Sequence, residues 1–214
     1  MTNILKQFQT AIVQGDSDMT AEMADAIIAE GIATPDEIFD YLAGAMEEVG
    51  SRYETGEYFI PEMLRSAESM EKAMGILEPY LFERRHDLSG VIVMGTVKGD
   101  IHNIGKNIIV LALRASGYEV HDLGVNISTD KFIAKIREVD ADMLMLSAFT
   151  TSTKSALIDI IETLKREGMR DKIMVVSGGA SHSEEFAREV GVDGFAKDVK
   201  STLAVCRRLM GRDV

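Results

Sequence analysis

Apolar residues recur at helical spacing from residue 1 to about 84 and then change rhythm. Ile4, Leu5, Phe8 and Ile12 make a first stripe, and Ile38, Tyr41, Leu42, Ala45 and Met46 make another. Met63, Leu64, Ala67, Met70, Met74, Leu77 and Leu81 make the longest. Positions three and four apart share one helix face, and no period-2 run interrupts them, so this half is predicted to be all helix. Thr34-Pro35-Asp36-Glu37 is a helix start: Thr34 caps, Pro35 stands where no N–H is needed, and Glu37 completes a capping box. Pro61 opens the last helix, and the remaining proline, Pro79, falls in this half too. The expectation is a four-helix bundle over residues 1–87.

The polar run Glu83-Arg84-Arg85-His86-Asp87, followed by Ser89-Gly90, breaks the periodicity and reads as a linker. From Leu88 to the end, over 88–214, short apolar runs alternate with amphipathic helices. Strands are predicted at Val91 to Gly95, Tyr118 to Leu123, Met143 to Ser147, Ile173 to Ser177 and Gly194 to Ala196, with helices at about 104–116, 129–138, 153–167, 183–190 and 198–210. Met143-Leu144-Met145-Leu146 has no polar alternation, as a parallel strand covered on both faces requires. Five alternating strand-helix units imply an α/β domain of the flavodoxin-like (Rossmann-like) kind: a doubly wound, five-stranded parallel sheet in the order 2-1-3-4-5.

Composition narrows the function classes. With 214 residues, 46% of them hydrophobic, the chain can bury a sizeable core. No apolar run follows a basic start and none approaches the roughly 20 residues of a membrane span, so a soluble, cytoplasmic protein is expected. The single cysteine, Cys206, excludes a disulfide framework and sits among Val205, Leu209 and Met210 as a small apolar residue. A net charge of −12 without a Lys/Arg cluster argues against nucleic acid and against acidic partners.

The chemistry concentrates in Gly99-Asp100-Ile101-His102-Asn103-Ile104-Gly105, just past the first predicted strand. A metal-bound imidazole usually gives its other ring N–H to a carboxylate, and Asp100 is placed to accept it from His102. The other histidines, His86, His121 and His182, are not at the spacing of a zinc or iron site, so a bare ion would be under-ligated. A metal that needs one protein ligand arrives inside a macrocycle, which would make His102 axial. Taken alone, Asp100 and His102 are as well explained by a helix start with a solvated histidine. Ser147 and the hydroxyl run Thr150-Thr151-Ser152-Thr153 follow the third strand, and Gly178-Gly179 follows the fourth, so three unusual segments meet where such sheets bind ligands. The plainer explanations are capping for the hydroxyls and a tight turn for the glycines. A flavodoxin's Ser/Thr-rich phosphate loop and a response regulator's strand-end acids are both missing.

Together these residues resemble the B12-binding motif Asp-x-His-x-x-Gly, Ser-x-Leu and Gly-Gly at family spacing: Asp100 to Gly105, 41 residues, Ser147-Ala148-Phe149, 28 residues, Gly178-Gly179. The helical half resembles the cap bundle of methyl-transferring cobalamin proteins through Val49-Gly50-Ser51-Arg52-Tyr53-Glu54-Thr55-Gly56-Glu57-Tyr58-Phe59-Ile60-Pro61. The whole chain is similar to the small corrinoid proteins of methyltransferase systems and to the two central modules of cobalamin-dependent methionine synthase. The resemblance implies a cobalamin or related cobamide that cycles between cob(I)alamin and methylcobalamin, with His102 on cobalt from below in place of the cofactor's benzimidazole. It implies Asp100 bonded to His102 and Thr153 third in that relay. Gly99, Ile101, Asn103, Ile104 and Gly105 then lie along the cofactor. The nucleotide tail lies beside Ser147, Phe149, Thr151, Gly178, Gly179, Ala180 and Val199, and Tyr53 and Ile60 cover the upper face, ordinary bundle core being their plainer role. Phe149 stands where the family has Leu, and Thr153 where it often has Ser.

The implied role is a methyl carrier without a complete active site of its own. It would serve a barrel-type substrate:corrinoid methyltransferase, a second methyltransferase acting on tetrahydrofolate or coenzyme M, and a reductive activator, with the segment Glu83 to Ser89 as the hinge of a movable cap. A B12-dependent sensor and the small subunit of a cobalamin mutase are the alternatives. The first usually carries a basic DNA-binding module, and the second generally lacks the Val49–Pro61 segment. Lys98 and Lys106 beside the motif are expected to be solvated, as is His182, and the thirteen methionines read as core filler.

Overall fold

The chain divides into two compact units, Met1–Arg85 and His86–Val214, and the computed structural model describes residues 2–82, 90–179 and 183–211. The expected linker and hinge, with His86 and the boundary at Leu88, lies outside the described residues, as do Ala180 and His182. The first unit is built from α1 (Thr2–Gln14), α2 (Ser17–Glu30), α3 (Pro35–Glu54) and α4 (Ile60–Phe82). Local chemistry sets their ends. Asp16 accepts the Met19 N–H at 3.0 Å to start α2, and Gly31, in the left-handed region at φ +59°, ends it. The Thr34–Glu37 capping box is formed in both directions, with Pro35 on the first turn of α3. Phe8, Ile12, Ile27, Ile38, Leu42, Met70 and Leu77 are fully buried between the helices, each worth roughly 1.5–3 kcal/mol relative to exposure.

The second unit runs β1 (Val91–Thr96), α5 (Ile104–Ala115), β2 (Glu119–Asp122), α6 (Thr129–Val139), β3 (Met143–Ser147), α7 (Lys154–Arg166), β4 (Met174–Gly178), α8 (Glu184–Val190), β5 (Gly194–Ala196) and α9 (Val199–Leu209). All strand pairs are parallel, in the order β2-β1-β3-β4-β5. Strand side chains alternate between two cores, which is why the strand sequences show no polar alternation. Val93, Leu144 and Val175 pack with Phe132 and Ile136 of α6 and Leu157 and Ile161 of α7. Ile92, Met94, Met143, Met145 and Val176 pack with Val110 and Leu113 of α5 and Leu203 and Cys206 of α9. Burial also pushes the Cys206 thiol up to about 12, so it is an inert apolar filler.

One stripe differs from its sequence pattern. Leu64 is 59% exposed, and the inward line of α4 is Ser66, Ser69, Met70, Ala73, Met74, Leu77 and Leu81. Small hydroxyl residues take the inner face because the end of α1 and the start of α2 approach closely there. Ser66 donates to the Val13 carbonyl at 2.7 Å, Ser17 and Ser69 bond at 3.0 Å, and a Cβ on Gly15 would lie 2.5 Å from that of Arg65. Apolarity alone cannot flag such a seam. Thr20, fully buried on α2, has a hydroxyl with no hydrogen-bond partner among the described residues, and an unsatisfied buried hydroxyl costs free energy. Thr20→Val keeps the branched shape and removes that oxygen, so the denaturant midpoint of the helical unit is expected to rise by about 1 kcal/mol equivalent; a fall would show that the hydroxyl is satisfied in solution.

Candidate functional site

The parallel register assembles the site. Thr96 of β1 lies opposite Ser147 of β3, and Ser147 opposite Gly178 of β4, so the three motif segments leave the sheet from one row at its carboxyl edge. After β1 the chain forms a tight loop. Val97 bridges to Ile127, Gly99 takes φ +87°, and the Asp100 N–H bonds the Val97 carbonyl at 3.1 Å. Asn126, itself at φ +56°, braces this loop: its Oδ1 accepts the Gly99 N–H at 2.9 Å and its own N–H donates to the Asp100 carbonyl at 2.9 Å. Asn tolerates the left-handed region, but nothing in the motif announces this role.

Asp100 is the buried hub, 1% exposed. Oδ1 accepts the His102 backbone N–H at 3.0 Å and the His102 Nδ1–H at 2.7 Å. Oδ2 accepts the backbone N–H of Phe149 at 2.5 Å and that of Thr150 at 3.3 Å. Burial pushes the carboxyl up, yet the amide bonds from His102 and Phe149, together with the imidazole, outweigh it and hold the group below the usual carboxylate range. In a neutral imidazole, an ionised Asp100 makes Nδ1 the protonated ring nitrogen and leaves the lone pair on Nε2. The His102 side chain is half exposed, and its ring stacks on Phe149 with centroids 4.3 Å apart. Thr96 Oγ1 donates to the His102 carbonyl at 3.0 Å, pinning the loop to β1.

Thr153 does not stand third in this arrangement. Its hydroxyl donates to the Thr150 carbonyl at 2.6 Å, because four N–H donors already use the acceptor capacity of Asp100. Thr151 lies in the short 3-10 turn before α7, and its side chain lies outside the described residues. Lys106 is not solvated: it is 3% exposed, ion-paired with Asp122 at the end of β2 and bonded to Asn107 Oδ1 at 2.7 Å. Desolvation lowers its pKa, against the pull of Asp122. Val199, at the start of α9, packs against the apolar core beneath β5.

Gly178 and Gly179 answer first to the chain's own packing. A Cβ on Gly178 would strike the Ala196 carbonyl, and one on Gly179, at φ +119°, would strike the Ala148 backbone. Gly105 is different, since a Cβ there would meet nothing within 4 Å. In the helical unit Tyr53 and Ile60 are 47% and 64% exposed, beside exposed Phe59 and Leu64, so neither is bundle core. Arg52 fixes the preceding turn by bonding Glu57 at 3.1 Å and the Tyr58 hydroxyl at 3.2 Å.

The donor set fits a metal that brings its own equatorial ligands. Among the described residues no three His, Cys, Asp or Glu side chains gather as an ion site, whereas one imidazole is oriented through Nδ1 and open at Nε2. Exposed Ile101, 74% accessible, and the open surface at Gly105 leave room for a flat apolar ring system beside it.

These features define an α/β cobamide-binding domain preceded by a helical unit. Residues 90–206 match the B12 binding domain model, and residues 4–78 match a second B12 binding domain model. The chain is 36% identical to a corrinoid protein of Desulfitobacterium hafniense, over 98% of this chain and 99% of that one. The monomethylamine corrinoid protein of Methanosarcina barkeri has a similar structure, with a TM-score of 0.84, 26% identity and 98% of each chain covered. The methanol:cobalamin methyltransferase complex of the same organism includes a similar chain, at a TM-score of 0.55, 25% identity, and 99% and 81% coverage. The protein belongs to the B12-binding corrinoid protein family of methyltransferase systems.

The glycine geometry gives a direct test. Gly179→Ala is expected to cost about 2–3 kcal/mol of stability, because alanine is strained at that φ and its methyl group meets backbone that cannot step aside. Urea denaturation monitored by circular dichroism reads this without any cofactor, and a variant as stable as the wild type would refute the packing argument.

Proposed function

We propose that this chain is a cytoplasmic methyl carrier that holds a cobamide through His102 Nε2. It takes a methyl group from a barrel-type substrate:corrinoid methyltransferase and delivers it to a second methyltransferase whose acceptor is tetrahydrofolate or coenzyme M, with a reductive activator restoring the cofactor. The observation that carries the reading is the contrast between the two ring nitrogens of His102: Nδ1 is bonded to buried, ionised Asp100 at 2.7 Å, and Nε2 to no described residue. Likeness to a chain of a methyltransferase complex supports the partner class, and a match of the helical half to its own B12-binding model favours a carrier over a mutase subunit.

The bound cobamide supplies a cobalt that accepts and releases the methyl group. The protein's residues do the rest. Asp100 fixes the tautomer of His102 and raises the basicity of Nε2. The row formed by Ser147 and Gly178 leads to the crevice proposed to take the nucleotide tail, where Gly179 keeps the chain close to Ala148. Tyr53 and Ile60 are proposed to cover the methyl-bearing face, which excludes water from it. The methyl donor is set by the partner enzyme.

His102→Ala tests the ligation. The variant, folded by circular dichroism and loaded with cobalamin, is expected to lose the cobalt absorption bands of protein-nitrogen ligation, and Asp100→Asn is expected to weaken binding about 10- to 100-fold. A cobalt spectrum unchanged by His102→Ala would reject the proposal.

A further inference from the structure

Phe149 touches the His102–Asp100 pair twice. Its backbone N–H donates to Asp100 Oδ2 at 2.5 Å, and its ring lies on the His102 imidazole with centroids 4.3 Å apart and planes 28° from parallel. The ring is 49% exposed, so it is not held there by core packing. A large apolar side chain left half in water while stacked on the one free donor nitrogen's ring calls for a reason beyond stability.

The geometry supplies one. The bond from Nδ1 to Asp100 restrains the imidazole along the Cγ–Nδ1 edge and places nothing against its faces. A flat group against one face limits the rotation that remains. We propose that Phe149 is a positioning residue that sets the plane of the His102 ring and so aims Nε2 before any cofactor arrives; this rests on the reading of His102 as the cobalt ligand. Ordering done in the free protein is not charged against binding, and an offset aromatic pair contributes beyond its buried area. The backbone contact of residue 149 is available to any residue but proline, so in the Leu and Tyr variants only the ring is at stake.

The test uses apoprotein and aquocobinamide, a corrinoid with no lower base, so that a nitrogen on its lower face comes from the protein. Cobalt absorption titrations are expected to show Phe149→Leu, which keeps an apolar side chain without a flat ring, weakening binding about three- to tenfold, and Phe149→Tyr staying within about twofold of wild type. In the apoprotein, the His102 ring protons are expected to show an upfield ring-current shift in wild type and Phe149→Tyr that is lost in Phe149→Leu. Equal aquocobinamide affinity for Phe149→Leu and wild type, or no ring-current shift in wild type, overturns the inference while leaving His102 ligation standing. Identical cobalt bands for wild type and His102→Ala would instead remove the ligation itself, and the positioning role with it.

Discussion

A carboxylate taken almost wholly out of water is costly unless its lone pairs are met, and Asp100 is met by four N–H groups from two loops. Two come from its own loop after β1 and two from the loop after β3, forty-nine and fifty residues further on. The ion therefore ties together segments that sequence holds far apart. Charge-assisted bonds of this kind are roughly twice as strong as neutral ones, and all of them fail together if the carboxylate is removed. The imidazole is the only one of the four donors with a second function, so whatever holds Asp100 in place also holds His102. Thr96 and Asn126 are bound into the same arrangement from β1 and from the loop after β2.

The sheet makes that tie possible. Parallel pairing of β1 with β3 and of β3 with β4 brings Thr96, Ser147 and Gly178 level, so loops leaving the three strands meet with no long excursions. Gly178 and Gly179 let β4 and its exit pass close to Ala196 and Ala148. The Ala148 N–H then bonds the Gly178 carbonyl at 3.0 Å, which fixes the chain just before Phe149. Burial on both faces makes the platform stiff, and a rigid platform is what allows loop residues to hold a metal ligand to within fractions of an ångström.

Much of this was legible in the sequence. The two-sided burial of the strands follows from Met143-Leu144-Met145-Leu146 and its equivalents, and the strand order follows from alternating strand-helix units with right-handed crossovers. The Asp100–His102 bond was legible because both partners lie two residues apart in one motif. What escaped depends on distant partners. Lys106 reads as a surface residue until Asp122, brought by β2, is placed beside it. The backbone of residues 149 and 150 carries no sequence signal, so the family resemblance points to the Thr153 hydroxyl as third member where main-chain amides fill that place. In α4, Ser66 and Ser69 are polar by type yet buried by partner, and a hydropathy stripe therefore selected Leu64.

A site with one protein ligand separates two demands that a multi-ligand metal site must meet together. A structural zinc ion is retained by the same bonds that fix its chemistry. When a macrocycle retains its own metal, a single imidazole is relieved of holding and is left to tune. Under the proposed ligation by His102, that accounts for the uneven distribution of polar groups here: a fully satisfied, buried Asp100 behind the ring and an uncrowded Nε2 in front of it. Further side-chain donors in front would compete for the metal or for the lone pair, whereas further donors behind make the ring's orientation and tautomer more certain. The carboxyl edge of this sheet follows that rule, with its polar contacts gathered on the Asp100 side and apolar Ile101 and Phe149 exposed beside the ring.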